Sequence, residues 1–442
     1  MRKAAVHNLG CKVNAYESEA MRQLLEQAGY EIVPFRERAD VYIINTCSVT
    51  NIADRKSRQM LHRAKKQNRD AVVVAVGCYV QAAAEELKRD PAVDIIIGNN
   101  KKQDLVAILE EWFLSSSRQK NEGIASEHVI EIGSTKEYER LHIDGTADHT
   151  RALIKIQDGC NQFCSYCIIP YTRGRVRSRL PQEVEQEAAY LAAAGYREMV
   201  LTGIHLSSYG MDFAEPKKEA LTDLIRRLHG TEGIVRIRLG SLEPRIVTRE
   251  FVDALAEIPE ICPHFHLSLQ SGCDATLKRM NRRYTTEEYA NCCALLREVF
   301  PNAAITTDVI VGFPGETEEE FAETKAFLRR IHFYEMHVFK YSARSGTRAA
   351  AMPDQIPEPV KTRRSEELLT LEKEMSREYR QRFLHTAQEV LLEEEVPIQG
   401  SAWLVGHTRE YVKVAVPAGD FCPNTLVEVV PRQMLTEEIL RG

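Results

Sequence analysis

Along the first 114 residues, short apolar runs alternate with longer amphipathic stretches. KAAVHNLG, DVYIINT, AVVVAVG and VDIIIGN hold apolar side chains at nearly consecutive positions, the pattern of strands covered on both faces. YESEAMRQLLEQAG, ending at Gly29, and NIADRKSRQMLHRAKKQ repeat apolar residues at helical spacing. Further helices follow Gln81 and extend to about Phe113. Strands alternating with helices predict a parallel α/β sheet over 1–114. The pattern breaks at 115–145, where SSSRQKNEG reads as a polar, turn-rich linker. It resumes over 146–375, with strands at ALIKIQ, EMVLTG, VRIRLG, HFHLSLQ, AITTDVIVG and EMHVFKY. Helices fill the gaps, for instance 181–194, 219–229, 285–299 and 317–330. Six such units predict an open or partial (β/α) barrel of parallel strands. A charged helix at 360–383 closes this region. EVLLEEEV, AWLVGHT, YVKVAVPA and TLVEVVP then predict a small β-barrel over 376–442.

Composition changes this picture little. The chain has 442 residues, 44% apolar and 28% charged, ordinary for a soluble globular protein. The start, MRKAAVHNLGC, lacks an apolar signal core, and no apolar run approaches the roughly 20 residues a membrane helix needs. A cytoplasmic protein with no membrane contact is expected. Net charge is −6, so any nucleic-acid site must be a local basic patch.

The eleven cysteines change the picture more. In a reducing compartment, clustered cysteines are metal ligands sooner than disulfides. Cys160, Cys164 and Cys167 lie in DGCNQFCSYCIIP, directly after a strand, where parallel α/β folds place their chemistry. Half a zinc ribbon would need a second CxxC pair within about 30 residues, and none follows. Three thiols and no fourth point to an iron–sulfur cluster with one position left open. Tyr166 stands where an aromatic ring would flank a bound small molecule. Cys11, Cys47 and Cys78 form a second set, each just beyond a predicted parallel strand. Carboxyl ends of neighbouring parallel strands lie side by side, so these three converge on a shared metal site. Cys262, Cys273, Cys292, Cys293 and Cys422 read as structural.

CNQFCSYC resembles the signature loop of radical S-adenosylmethionine enzymes. That resemblance implies a [4Fe–4S] cluster on Cys160, Cys164 and Cys167, with S-adenosylmethionine at its open iron and a 5′-deoxyadenosyl radical as product. It also implies Thr202 and Gly203 in LTGIHL near the methionine amino group. Ser241 and Glu243 in RLGSLEP would meet the ribose and carboxylate. Gly312 in GFPGET would let the backbone approach the adenine. With the second cysteine set, and with GCKVNAYESEAM, NTCSVTNIADRKSRQ, PYTRGRVRSR, LQSGCDATLKRMNRRY, DVIVGFPGETEEEF and YSARSGTRAA, nearly the whole chain is similar to the methylthiotransferase family. The family architecture implies an N-terminal cluster domain, a radical domain and a TRAM-like β-barrel. Ser268 and Gly240 depart from it, at positions where relatives often carry proline and serine.

GCKVN, TGIHLSSYG and CSYCIIP most resemble the bacterial enzymes for N6-threonylcarbamoyladenosine in tRNA. The implied reaction places sulfur and methyl on C2 of the adenine just 3′ of the anticodon, using two [4Fe–4S] clusters and S-adenosylmethionine. The implied partners are the tRNA anticodon stem-loop, an electron donor and a sulfur donor. Alternatives are the subgroups acting on isopentenyladenosine or on a ribosomal-protein aspartate, and a non-catalytic RNA-binding protein with structural zinc. Three basic runs agree with RNA. Residues 54–70 hold seven Lys/Arg against two Asp, 278–283 hold four cations, and TRGRVRSR contributes Arg173, Arg175, Arg177 and Arg179. Arg344 in YSARSGT is expected to meet the threonylcarbamoyl carboxylate. The last segment, 376–442, holds seven Lys/Arg and ten Asp/Glu, a poor composition for an RNA clamp.

Overall fold

The computed structural model describes residues 1–116, 125–143 and 150–442. The expected boundary at 145/146 and most of SSSRQKNEG lie outside the described residues. The N-terminal sheet is built from β1 (Lys3–Asn8), β2 (Glu31–Ile32), β3 (Val41–Thr46), β4 (Val72–Gly77), β5 (Ile95–Ile97) and β6 (Ser126–His128). Their order is β2-β1-β3-β4-β5-β6, and every pairing is parallel. Every residue of β3 and β4 is buried, because helices cover both faces. One face packs Tyr42, Ile44, Val73, Ala75 and Ile96, and the other packs Val41, Ile43, Val74, Val76 and Ile97. The strand β6 comes from within the stretch expected as linker; SEH has no apolar run to announce it.

The central region comprises β7 (Arg151–Asp158), β8 (Arg177–Ser178), β9 (Glu198–Gly203), β10 (Arg236–Leu239), β11 (His264–His266), β12 (Ala304–Val311) and β13 (Glu335–Lys340). Two sheets, β10-β9-β7-β8 and β11-β12-β13, join through the parallel bridges Ile237↔Ile261 and Leu242↔Leu267. Apart from the short antiparallel β8, the strands form one curved parallel wall. One large apolar core packs its helices to its outer face. Two helices there start with complete capping boxes, Thr285 with Glu288 and Thr317 with Glu320. The helix Glu358–Gln381 packs against β13.

The C-terminal strands β14 (Gln388–Ile398), β15 (Ser401–His407), β16 (Lys413–Pro417), β17 (Leu426–Val429), β18 (Gln433–Met434) and β19 (Ile439–Arg441) form a curled, mostly antiparallel sheet. It docks on the central region through buried Arg236 and Arg238. Arg236 donates to the His407 and Glu389 carbonyls at 2.9 Å each, and Arg238 to the Arg409 carbonyl at 3.0 Å. Tyr411 stacks between His264 and His407, with ring centroids 4.8 and 4.3 Å away. Among the described residues, no helix is long and apolar enough to cross a membrane.

Candidate functional site

The N-terminal thiols sit on three adjacent turns. Cys11 caps the helix α1 (Lys12–Gln27), Cys47 lies between β3 and the helix α2 (Asn51–Gln67), and Cys78 follows β4 directly. Because β1, β3 and β4 are neighbours, their carboxyl ends bring the three turns together. Polar side chains mesh the turns. Asn14 donates to the Thr46 carbonyl at 3.0 Å, Asn45 to the Asn14 carbonyl at 3.0 Å, and Thr46 Oγ1 accepts from the Tyr79 N–H at 3.2 Å. Gly77, with φ +98°, lets the chain turn into Cys78; a Cβ there would press on Asn45 Oδ1.

The second triad is local. Gly159, with φ +68°, precedes Cys160, and a Cβ on it would collide with the Arg175 carbonyl. Phe163 also takes a left-handed conformation, φ +49°, and Asn281 holds it by donating to its carbonyl at 2.9 Å. A cavity of about 130 Å³ opens here, lined by the three cysteines, Tyr166, His205, Ser241, Glu243, Ser268, Gln270 and Arg282 among others. The structure thus brings Tyr166, Ser241 and Glu243 to the thiols. It does not bring Thr202, Gly203 or Gly312 into that lining. Thr202 is buried in β9, Gly203 pairs with Gln157, and the Gly312 N–H donates to Glu316 at 2.6 Å. Sequence reasoning missed His205, Gln270 and Arg282. Arg282 was hidden inside a charge run, and nothing local marks it as different from Arg283.

An arginine reaches each triad. Arg173 Nε donates to Cys78 Sγ at 3.2 Å, and Arg282 donates to Cys164 Sγ at 3.4 Å. Arg173 is fully buried and also grips Glu17 at 2.9 Å, Asp158 at 3.1 Å and Asn14 at 2.8 Å. Lys155 joins from the far side, 2.7 Å from Glu17 and 2.6 Å from Asp158, and Lys102 lies 3.2 Å from Glu17. Burial alone would raise the pKa of Asp158, but Arg173, Lys155 and Arg177 outweigh it and hold the carboxyl ionised far below its ordinary range. The network holds the cations Lys102, Lys155, Arg173 and Arg177 against the anions Glu17, Asp158 and Glu139. That excess of positive charge beside Cys78 suits an anionic group.

These contacts correct the expected RNA face. Arg173, Arg177 and Arg179 are buried, Arg179 against Glu187, and only Arg175 of that run is exposed, its guanidinium over the Phe163 ring. Within 278–283, Arg279 pairs with Glu320 and Arg282 serves the thiols. Arg344 is buried too, on Asp54 at 2.6 Å, Ser48 at 2.7 Å and Asn51 at 2.6 Å, so it clamps the Cys47 turn and is not free for a substrate carboxylate. By contrast, α2 exposes Arg55, Lys56, Arg63 and Lys66.

Neither thiol triad is drawn in as a single-ion site would be. Sulfurs around one tetrahedral zinc stand about 3.8 Å apart, given Zn–S bonds near 2.3 Å. Among the described residues, neither cysteine triad draws in to within 4.8 Å, a looser grouping than the ligands of one tetrahedral ion. Burial pushes the Cys47 thiol up to about 12 and Cys160 up to about 11, so a metal bound there would have to displace their protons. The cavity wall also carries a buried His205 Nε2 with no protein partner, a polar atom ready for a bound ligand.

Comparison with known proteins agrees with this geometry. Residues 154–328 match the model of the radical SAM superfamily, and 3–98 match that of the uncharacterized protein family UPF0004. The chain is 42% identical over 431 residues to the threonylcarbamoyladenosine tRNA methylthiotransferase MtaB of Bacillus subtilis, covering 97% of this chain and 93% of that protein. It is 36% identical to a tRNA-2-methylthio-N(6)-dimethylallyladenosine synthase of Pelotomaculum thermopropionicum, covering 98% and 94%. Among solved structures it is similar in fold to the radical S-adenosylmethionine methyltransferase TsrM of Kitasatospora setae, with TM-score 0.54 and 17% identity over 77% of this chain and 73% of that one.

Proposed function

From the premise that the chain belongs to the radical S-adenosylmethionine methylthiotransferase family, we propose that it places a methylthio group on C2 of N6-threonylcarbamoyladenosine beside the tRNA anticodon. One observation carries the reading. The Gly174 carbonyl accepts from the Cys160 N–H at 3.0 Å, while its neighbour Arg173 donates to Cys78 Sγ at 3.2 Å. Two adjacent residues therefore touch both thiol triads, an arrangement that supports two [4Fe–4S] clusters serving one substrate. Bound there, the clusters and S-adenosylmethionine supply the one-electron chemistry that an aromatic C–H demands and acid–base catalysis cannot give.

This chain's own residues prepare that chemistry. Arg173 and Arg282 direct N–H groups at one sulfur of each triad, which stabilises thiolate charge. Ser241, Glu243, Gln270 and His205 offer polar groups around the loop triad for the amino acid and ribose of S-adenosylmethionine. The buried network between the triads excludes water from the space behind them. A base read at C2 must leave the anticodon stack, and loop nucleotides do so at low cost. The exposed cations Arg55, Lys56, Arg63 and Lys66 of α2, together with Arg175, meet the loop's phosphates in this reading. The enzyme works in the cytoplasm and takes electrons and sulfur from separate donors.

Mass spectrometry of tRNA nucleosides from cells lacking the gene tests the reading. We expect the threonylcarbamoyl nucleoside to persist without its methylthio form, and the gene to restore it. Loss of the dimethylallyl methylthio nucleoside instead would move the chain to the other tRNA subgroup.

A further inference from the structure

Three side chains on the wall β11-β12-β13 stand apart from everything used so far: His266, Asp308 and His337. One ligand atom from each lies within 4.8 Å of the others. His266 Nε2 is 3.3 Å from Asp308 Oδ2, and the two imidazole rings are 6.0 Å apart. Strand register produces the grouping. Asp308 pairs directly with His337, while His266 pairs with Thr306, two residues before Asp308 and on the same face. The first ring is already oriented, because His266 Nδ1 is 3.1 Å from Thr306 Oγ1, which leaves Nε2 towards Asp308. A hydroxyl or carbonyl on the other ring nitrogen is what fixes metal-ligating histidines. Unlike the cysteine triads, these atoms are close enough for a single ion. His266 and Asp308 are only partly exposed, at 14% and 28%, and His337 is open to solvent, so an ion has a path in.

We propose that His266, Asp308 and His337 bind one divalent transition-metal ion of the zinc class, whose remaining position receives the carboxylate of the substrate's N6 substituent. Two imidazoles and one carboxylate suit such an ion, and three protein ligands leave it an open position. Location supplies the second half. Ser268, two residues beyond His266 on the same extended segment, lines the cavity of the loop triad. At about 3.3 Å of rise per residue, the backbones of His266 and Ser268 stand roughly 7 Å apart, so the ion's site adjoins that wall. An adenine presenting C2 to the cavity holds N6 on the same Watson–Crick edge, with N1 alone between C2 and C6, so its substituent reaches the adjoining wall, and an acidic tail needs a cation to meet it. Arg344 does not supply one, being held by Asp54. This half rests on the threonylcarbamoyl reading above; the metal site does not.

Cluster-loaded enzyme, cleared of loose metal with a chelator, is dialysed against zinc, and zinc and iron are measured on the same sample. One zinc per chain is expected in the wild type. H266Q and H337Q should lose it with iron unchanged, which separates this site from zinc captured by empty cysteine triads. Equal zinc in wild type and both variants overturns the site. The second arm pits tRNA bearing threonylcarbamoyladenosine against the same tRNA with plain adenosine. In H337Q the preference for the modified tRNA should fall by about tenfold or more, with the plain substrate little changed. An undiminished preference in zinc-free enzyme overturns the recognition role. Failure of the wild type to turn over either tRNA strikes the substrate reading, and the zinc measurement still decides the site.

Discussion

The two cysteine triads reach similar ends by opposite routes. Cys160, Cys164 and Cys167 lie within eight residues, and the loop's own backbone shapes them. Cys11, Cys47 and Cys78 come from turns 36 and 31 residues apart and meet only because β1, β3 and β4 are neighbours. The loop triad receives its arginine, Arg282, from its own region. The N-terminal triad borrows from the other side of a domain interface: Arg173 holds Cys78, and Arg344 holds the turn after Cys47. A site assembled from distant turns thus depends on domain docking, whereas a local one does not.

The strongest break in this symmetry is functional. Cys160→Ala should stop cleavage of S-adenosylmethionine altogether. Cys47→Ala should still yield 5′-deoxyadenosine while methylthio product falls by more than about a thousandfold, roughly 4 kcal/mol of barrier. Chromatography of both products on anaerobic reactions checks this, and multiple turnovers of methylthiolation by Cys47→Ala would end the division of labour.

Exchanging the arginines should expose the dependence on docking. Arg173→Met leaves Glu17 and Asp158 buried with less countercharge, a loss of about 3–5 kcal/mol. It should lower the iron held by the N-terminal triad and the melting temperature together. Arg282→Met should reduce iron at the loop triad alone. Iron counts on each variant, combined with Ala replacement of the opposite triad, tell the sites apart. An Arg173→Met protein with normal iron and normal melting would leave the comparison without its physical basis.

A smaller effect is expected at Arg344. Arg344→Ala frees Asp54, Ser48 and Asn51 and should cost about 1–3 kcal/mol. Hydrogen exchange should rise in the 47–54 turn and stay unchanged in 158–170; equal protection in both would mean that the clamp is idle.

The mildest prediction concerns acid. Burial, reinforced by Arg238 and Lys12, holds His264 well below its ordinary value, and burial also lowers His407 despite its contact with Glu393. Histidines with depressed folded values contribute stability that is complete above about pH 6.5 and is lost as pH falls. The docking of the C-terminal sheet should therefore loosen below pH 6.5. Melting curves of wild type and His264→Phe across pH 7.5–5 measure it; identical slopes would remove His264 from the account.

Much of the fold was legible in the chain. The apolar runs at 41–46 and 72–77 became fully buried strands, and the helices expected at 285–299 and 317–330 run over Thr286–Val299 and Glu318–Ile331. Strand β6, with its polar SEH, and the two-residue β2 and β8 were not, because their pairing is dictated by neighbours and not by their own side chains. The positions of both cysteine sets at strand ends were legible as well, one from spacing and one from its phase against the strands.

What the sequence determined by itself was periodicity, and with it the elements and the thiols at their ends, since those depend on residues near in the chain. It could not determine the fate of charge. Arg173, Arg175 and Arg177 look alike in TRGRVRSR, yet two are buried in ion pairs and one faces solvent. His266, Asp308 and His337, spread over some seventy residues, show no pattern at all until strand register sets them together. Desolvation and convergence are properties of surfaces that meet, and only the tertiary structure decides which surfaces those are.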